Sequence, residues 1–132
     1  MKLILVRGLP GSGKSTIAKK LGILYHYEAD QYFMKDGEYV FDATKLHRAH
    51  SWCQSMVRDA LVGGHDVVVS NTFTTIKELR PYFDMAAELG IVPNVIVAQG
   101  NFKNVHNVPE ESMKRMRDRF VWDISELYNG QE

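Results

Sequence analysis

The chain is short of several things, and each shortage excludes something. It has one cysteine, Cys53, which rules out an internal disulfide and a cysteine-built zinc site. Sixteen basic residues balance sixteen acidic ones, so attraction to nucleic acid or a membrane surface must come from a local patch rather than the overall field. No apolar run approaches the roughly 18 residues needed to cross a bilayer. No charged-then-apolar segment opens the chain, so a reducing cytoplasm is the expected setting. Repeats, low-complexity tracts and linkers are missing, and the five histidines show no metal-ligand spacing. What remains, 132 residues at 45% apolar and 24% charged, predicts one domain over 1–132 with a real core.

What the chain does have is Gly8-Leu9-Pro10-Gly11-Ser12-Gly13-Lys14-Ser15, directly after the apolar run Leu3–Val6. This is the G-x-x-x-x-G-K-[ST] phosphate loop between a strand and a helix. Gly8, Gly11 and Gly13 let successive amides converge on phosphate oxygens. Lys14 adds a point charge for the β- and γ-phosphates, and the Ser15 hydroxyl suits Mg²⁺. The helix opening at Ser15 adds a dipole that favours anions. A nucleoside triphosphate is the expected ligand.

Strand and helix patterns alternate, which predicts a parallel sheet with helices on both faces. Strands are expected near 2–7, 25–29, 66–70 and 95–98. Helices are expected at 14–22, from about 42 to 62, from the Thr75–Glu78 capping box to Gly90, and from Pro109 onward. Asp42 reads as an N-cap, Asp36-Gly37 as part of a loop, and Pro81 as the cause of a kink or a later start. Met113, Met116, Phe120, Ile124 and Leu127 read as one buried stripe on the last helix.

In such sheets ligands sit beyond the carboxyl ends of the strands. Asp30, Asn71-Thr72 and residues 99–104 lie on that edge, whereas Asp66 begins its strand at the opposite edge. Asp30 is therefore the best carboxylate for orienting an attacking hydroxyl. The metal-positioning acid usual near positions 70–71 is replaced by Ser70-Asn71, and Asn adds no charge.

Five stretches, LILVRGLPGSGKST, EADQYF, FDATKLHRAHSWCQ, VVVSNTFT and NVHNVPEESMKRMRDRF, together resemble the small P-loop kinases of the polynucleotide 5′-kinase type, a group that includes phage end-repair enzymes and stand-alone phage ATP-binding proteins. The resemblance implies a P-loop NTPase fold of the nucleoside-kinase-like kind, three-layer α/β/α with about four parallel strands, and it implies ATP and Mg²⁺. It places the triphosphate on Gly11 to Thr16, with Gly8 and Pro10 completing the loop. Lys14 would neutralise charge on the transferred group, and Asp30 would be the general base for a 5′-hydroxyl. Asn71 falls where many relatives carry aspartate, and His106 follows the lid.

Three departures mark this chain. The lid segment is short, with Lys103 its one cation. Ala29 and Phe33 stand where phage polynucleotide kinases have arginines. The acid near 71 is gone. The candidate catalytic residues are thus Lys14, Asp30 and Lys103. Those for the acceptor are Asp30, Tyr32, His50, Asn71 and His106, and those for the metal are Ser15 and Asp30. Lys114, Arg115, Arg117 and Arg119 form a strip that either guides a nucleic-acid backbone or is a solvated helix face, the favoured reading given Glu110, Glu111 and Asp118 beside it. The leading expectation is an ATP-dependent kinase acting on a nucleic-acid 5′ end or a nucleotide. An ATP-binding regulatory module is the alternative, and a plain ATPase is a weaker third.

Overall fold

The computed structural model describes residues 1–102 and 108–129. Leu3–Arg7 (β1) enters the glycine loop and Lys14–Lys20 (α1) leaves it. Tyr25–Tyr27 (β2) runs through Glu28 into a 3-10 turn, Ala29–Phe33. A small hairpin, Met34–Lys35 (β3) and Glu38–Tyr39 (β4), precedes a second 3-10 turn at Ala43–Lys45 and the helix Leu46–Val62 (α2). Val67–Asn71 (β5), Ile76–Glu88 (α3), Asn94–Val97 (β6), Glu110–Arg119 (α4) and Ser125–Asn129 (α5) follow. None of the described helices is long and apolar enough to cross a membrane.

The four main strands form one parallel sheet, as expected, and their order is β2-β5-β1-β6. Strand side chains alternate between faces, and here the alternation separates two cores. Leu3, Leu5, Val67 and Val69 pack with α2, α3 and Leu127 of α5 on one face. Val6 and Val68 pack with Ala18 of α1 on the other. The three-layer expectation holds.

Several local expectations need correction. Within the expected loop Asp36 and Gly37 form the two-residue turn of a hairpin; both have positive φ, 50° and 81°, the backbone that this tight turn demands. Asp42 does cap, accepting from the Thr44 amide, but it opens the 3-10 turn while α2 begins at Leu46. The Thr75–Glu78 box starts α3 at Ile76, and Pro81 sits inside the helix instead of delaying it. The final helix is two pieces. Phe120 is extended, α4 buries none of its residues fully, and of the expected stripe Leu127 alone is buried. The physical cause is an anchor at the break: the Val121 amide donates to the Thr74 carbonyl and Arg119 Nε donates to Thr74 Oγ1 at 2.9 Å.

Candidate active site

The glycine loop is clamped between two strand exits. The Gly8 amide donates to the Thr72 carbonyl beyond β5, while the amides of Gly100 and Phe102, beyond β6, donate to the Ser12 and Gly11 carbonyls. Gly11 and Gly13 hold φ of 81° and 91°, a region that L side chains avoid. At Gly8 the need is space, since a Cβ there would collide with Ser12 Oγ and lie 2.8 Å from the Ala98 carbonyl oxygen. Pro10 is half-buried on the loop, and Thr16 is exposed in the first turn of α1. Ser12 Oγ is buried with no hydrogen-bond partner among the described residues, a polar atom that a phosphate oxygen would satisfy.

Lys14 lies deep in the site. Burial pushes its ammonium below the ordinary range, while Glu28 and Asp30 pull it back up. Asp30 stands on the first 3-10 turn, where Tyr39 Oη donates to its Oδ1 at 3.2 Å. Burial and that carboxylate push the Tyr39 phenol up to about 12, so it stays a donor at any working pH.

Ser15 and Asp30 were expected to share the metal, but the carboxylate on the Ser15 hydroxyl is Glu28. Ser15 Oγ donates to Glu28 Oε1, which also accepts from Ser70 Oγ at 2.7 Å, with His26 Nε2 3.4 Å away. Burial alone would raise the Glu28 pKa; the His26 ring beside it and the hydrogen bonds from Ser15 and Ser70 outweigh that and hold the carboxyl at about 2. The alcohol and carboxylate oxygens here are hard donors of the kind Mg²⁺ takes. Among the described residues no cage of three or more His, Cys, Asp or Glu is present, and a cation shared with phosphate oxygens needs none.

Asn71 points away from the phosphate loop. Its Oδ1 accepts from the Ala29 amide at 2.9 Å, and its Nδ2 lies 3.8 Å from Cys53 Sγ, all buried. The residue that was expected to face the acceptor and a metal water therefore holds the start of the turn carrying Asp30. Tyr32 is half-buried and packs against Phe33 and Trp52. His50 is half-buried on α2; burial lowers its pKa, and Glu78 and Asp30 oppose that. Lys103 and His106 lie outside the described residues.

Two features were missed by sequence reasoning. Glu28 lies within the strand expected over 25–29 and could have been found by following its alternation of faces, which puts it opposite Tyr25 and Tyr27. Arg7 is fully buried, donates through Nε and Nη2 to the Phe73 carbonyl at 3.0 and 2.7 Å, and sits 4.1 Å over the Phe120 ring. It ties the loop's entry strand to the β5 exit and to the end of α4. Arg117 and Arg119 of the cationic strip are engaged by Glu110 and Thr74, as fits a helix face more than a nucleic-acid track. A cavity of about 340 Å³ opens beside the loop, walled by Ser12, Gln99, Gly100, Arg117, Phe120 and Trp122.

Glycine loop, the lysine that follows it, alcohol and strand-end acids define a kinase-like P-loop nucleotide-binding protein. A family model described as an AAA domain matches residues 3–121, and the chain belongs to that family. It is 30% identical over 139 aligned positions to human NEDD4-binding protein 2, covering 93% of this chain but 8% of that protein. It is 31% identical over 131 positions to the uncharacterized protein PM0531 of Pasteurella multocida, covering 86% and 73%. Among solved structures it resembles chains of the Pnkp1/Rnl/Hen1 complex, with a TM-score of 0.61 at 20% identity over 86% of this chain and 38% of that one. A second structure, of the Pnkp1/Rnl/Hen1 RNA repair complex, gives 0.58 at 17% identity over 98% and 42%. At such identities the likeness is one of fold.

Proposed function

We propose that the protein is an ATP-dependent phosphotransferase that moves the γ-phosphoryl group to a hydroxyl, with a nucleic-acid 5′ end or a nucleotide as acceptor. The observation that carries this reading is the glycine loop with its positive-φ Gly11 and Gly13 and the partnerless buried Ser12 Oγ, together with Asp30 on the turn after β2, where Tyr39 donates to its carboxylate. The loop amides and Lys14 hold the triphosphate, and the cavity beside Arg117 and Trp122 takes the base. Mg²⁺, on the Ser15 side, would neutralise phosphate charge. Asp30 accepts the acceptor's proton as its oxygen bonds to the γ-phosphorus and the bond to the β–γ bridging oxygen breaks, releasing ADP. Nucleic acid is favoured by the fold's likeness to chains of an RNA repair complex.

Incubation with γ-labelled ATP and a 5′-hydroxyl oligonucleotide, a nucleoside panel or water alone tests this. Label should pass to an acceptor and vanish in Asp30→Asn while ATP binding persists. Binding without transfer or phosphate release would replace the kinase with a nucleotide-binding module.

A further inference from the structure

We propose, resting on the magnesium–triphosphate reading above, that Glu28 is the magnesium-side carboxylate of this site, supplied from the end of β2 in place of an acid at the end of β5. The Ser15 hydroxyl, the alcohol of the phosphate loop, donates to Glu28 Oε1 and not to any group at position 71. Ser70, the β5 residue on the α1 face, reaches the same oxygen at 2.7 Å. Asn71 is turned to the opposite face, where its amide is committed to the Ala29 amide and Cys53. The negative charge that is missing from β5 is thus present one strand over, on the correct side of the sheet.

The Ser15 and Ser70 hydroxyls, with the His26 ring 3.4 Å away, favour the ionised carboxylate in the protein by itself, so a negative charge stands ready beside the loop alcohol where a divalent ion would bind. The Glu28 charge acts on the Lys14 ammonium. Once a triphosphate draws the Lys14 ammonium, a divalent ion on the Ser15 side restores the balance. Mg²⁺ commonly binds through one or two carboxylates while keeping phosphate oxygens and water as its other ligands.

The test is calorimetric titration of ATP into the intact protein with excess Mg²⁺ and again with EDTA, for wild type, Glu28→Gln and Glu28→Asp. Mn²⁺ in place of Mg²⁺ gives a direct count of bound ion by electron paramagnetic resonance. In Glu28→Gln the EDTA affinity should be unchanged or tighter, because a negative charge near the phosphates is gone, while the gain from metal and the Mn²⁺ affinity fall at least about tenfold. Glu28→Asp keeps the charge with a shorter reach and should lie between the two; if Glu28→Gln does not fold, this variant decides. Metal responses equal to wild type in whichever variants fold overturn the assignment, as does a wild-type protein that binds ATP identically in Mg²⁺ and EDTA. Wild type that binds no ATP in either buffer instead removes the underlying nucleotide reading, and this assignment with it.

Discussion

Replacing Glu28 by glutamine should change how the protein responds to acid. The carboxyl is held at about 2 instead of 4.5, and each pKa unit corresponds to about 1.4 kcal/mol, so its ionised form contributes about 3 kcal/mol to folding at neutral pH. The side chain is 22% exposed, which leaves most of that effect unscreened. The folded-state value lies below the unfolded one. The contribution is therefore complete above the ordinary carboxylate range and is lost as pH falls from about 4.5 toward about 2; at about pH 3 roughly 2 kcal/mol of it has gone. Glutamine does not titrate. Urea unfolding of both proteins, without nucleotide or divalent ion, should show their stability difference shrinking by about 2 kcal/mol between about pH 6 and about pH 3, other carboxyls cancelling in the comparison. A difference that stays constant across that range would mean that the nearby His26 ring and the hydrogen bonds from Ser15 and Ser70 do not hold the charge, and the reasoning fails.

Arg7→Met keeps length but leaves the Phe73 carbonyl without its two donors, so stability should fall by about 1–3 kcal/mol; an unchanged urea midpoint would show that this contact carries no weight. Tyr39→Phe removes the hydroxyl that orients Asp30 and should lower kcat about tenfold or more with the KM for ATP unmoved; a rise in KM alone would place Tyr39 in binding instead. Trp122→Ala should weaken ATP by about 1–3 kcal/mol of lost stacking while leaving inorganic triphosphate unaffected. Equal loss for both ligands would show that the cavity does not receive the base.

The glycine loop, the four parallel strands and the capping box of α3 were legible because each depends on neighbours in sequence. Positive φ at Gly11 and Gly13, a buried valine run in β5 and a Thr75–Glu78 pair are local facts. The end of the last helix was not legible, since helical spacing of apolar residues continues through Phe120 and Ile124. What breaks it is remote: Thr74, about 45 residues earlier, captures Arg119 and the Val121 amide. Buried Arg7 follows the same logic. It reads as an odd cation at the end of an apolar strand until the Phe73 turn, at φ 46°, presents its carbonyl.

The acid of the site shows how a local rule applied by distance along the chain can mislead where the same rule applied by face would not. Positions 70 and 71 are adjacent, yet in β5 they serve different cores: Ser70 shares a face with Val68 and α1, Asn71 with Val67, Val69 and α2. An acid placed at 71 in this backbone would lie against Ala29 and Cys53, not against Ser15. In β2, Tyr25 and Tyr27 pack toward α2, so His26 and the extended Glu28 must face α1 and the phosphate loop. The turn that begins at Ala29 then ends the alternation and swings Asp30 toward Tyr39. Two carboxylates two residues apart are thereby separated: one stays on the strand beside the loop alcohol, and the other leaves it toward Tyr39. An Asn71→Asp change in the Glu28→Gln background should accordingly fail to restore the metal response, because the new charge would sit on the wrong face of the sheet; recovery of Mg²⁺-dependent ATP binding in that double variant would show that strand alternation does not govern the site.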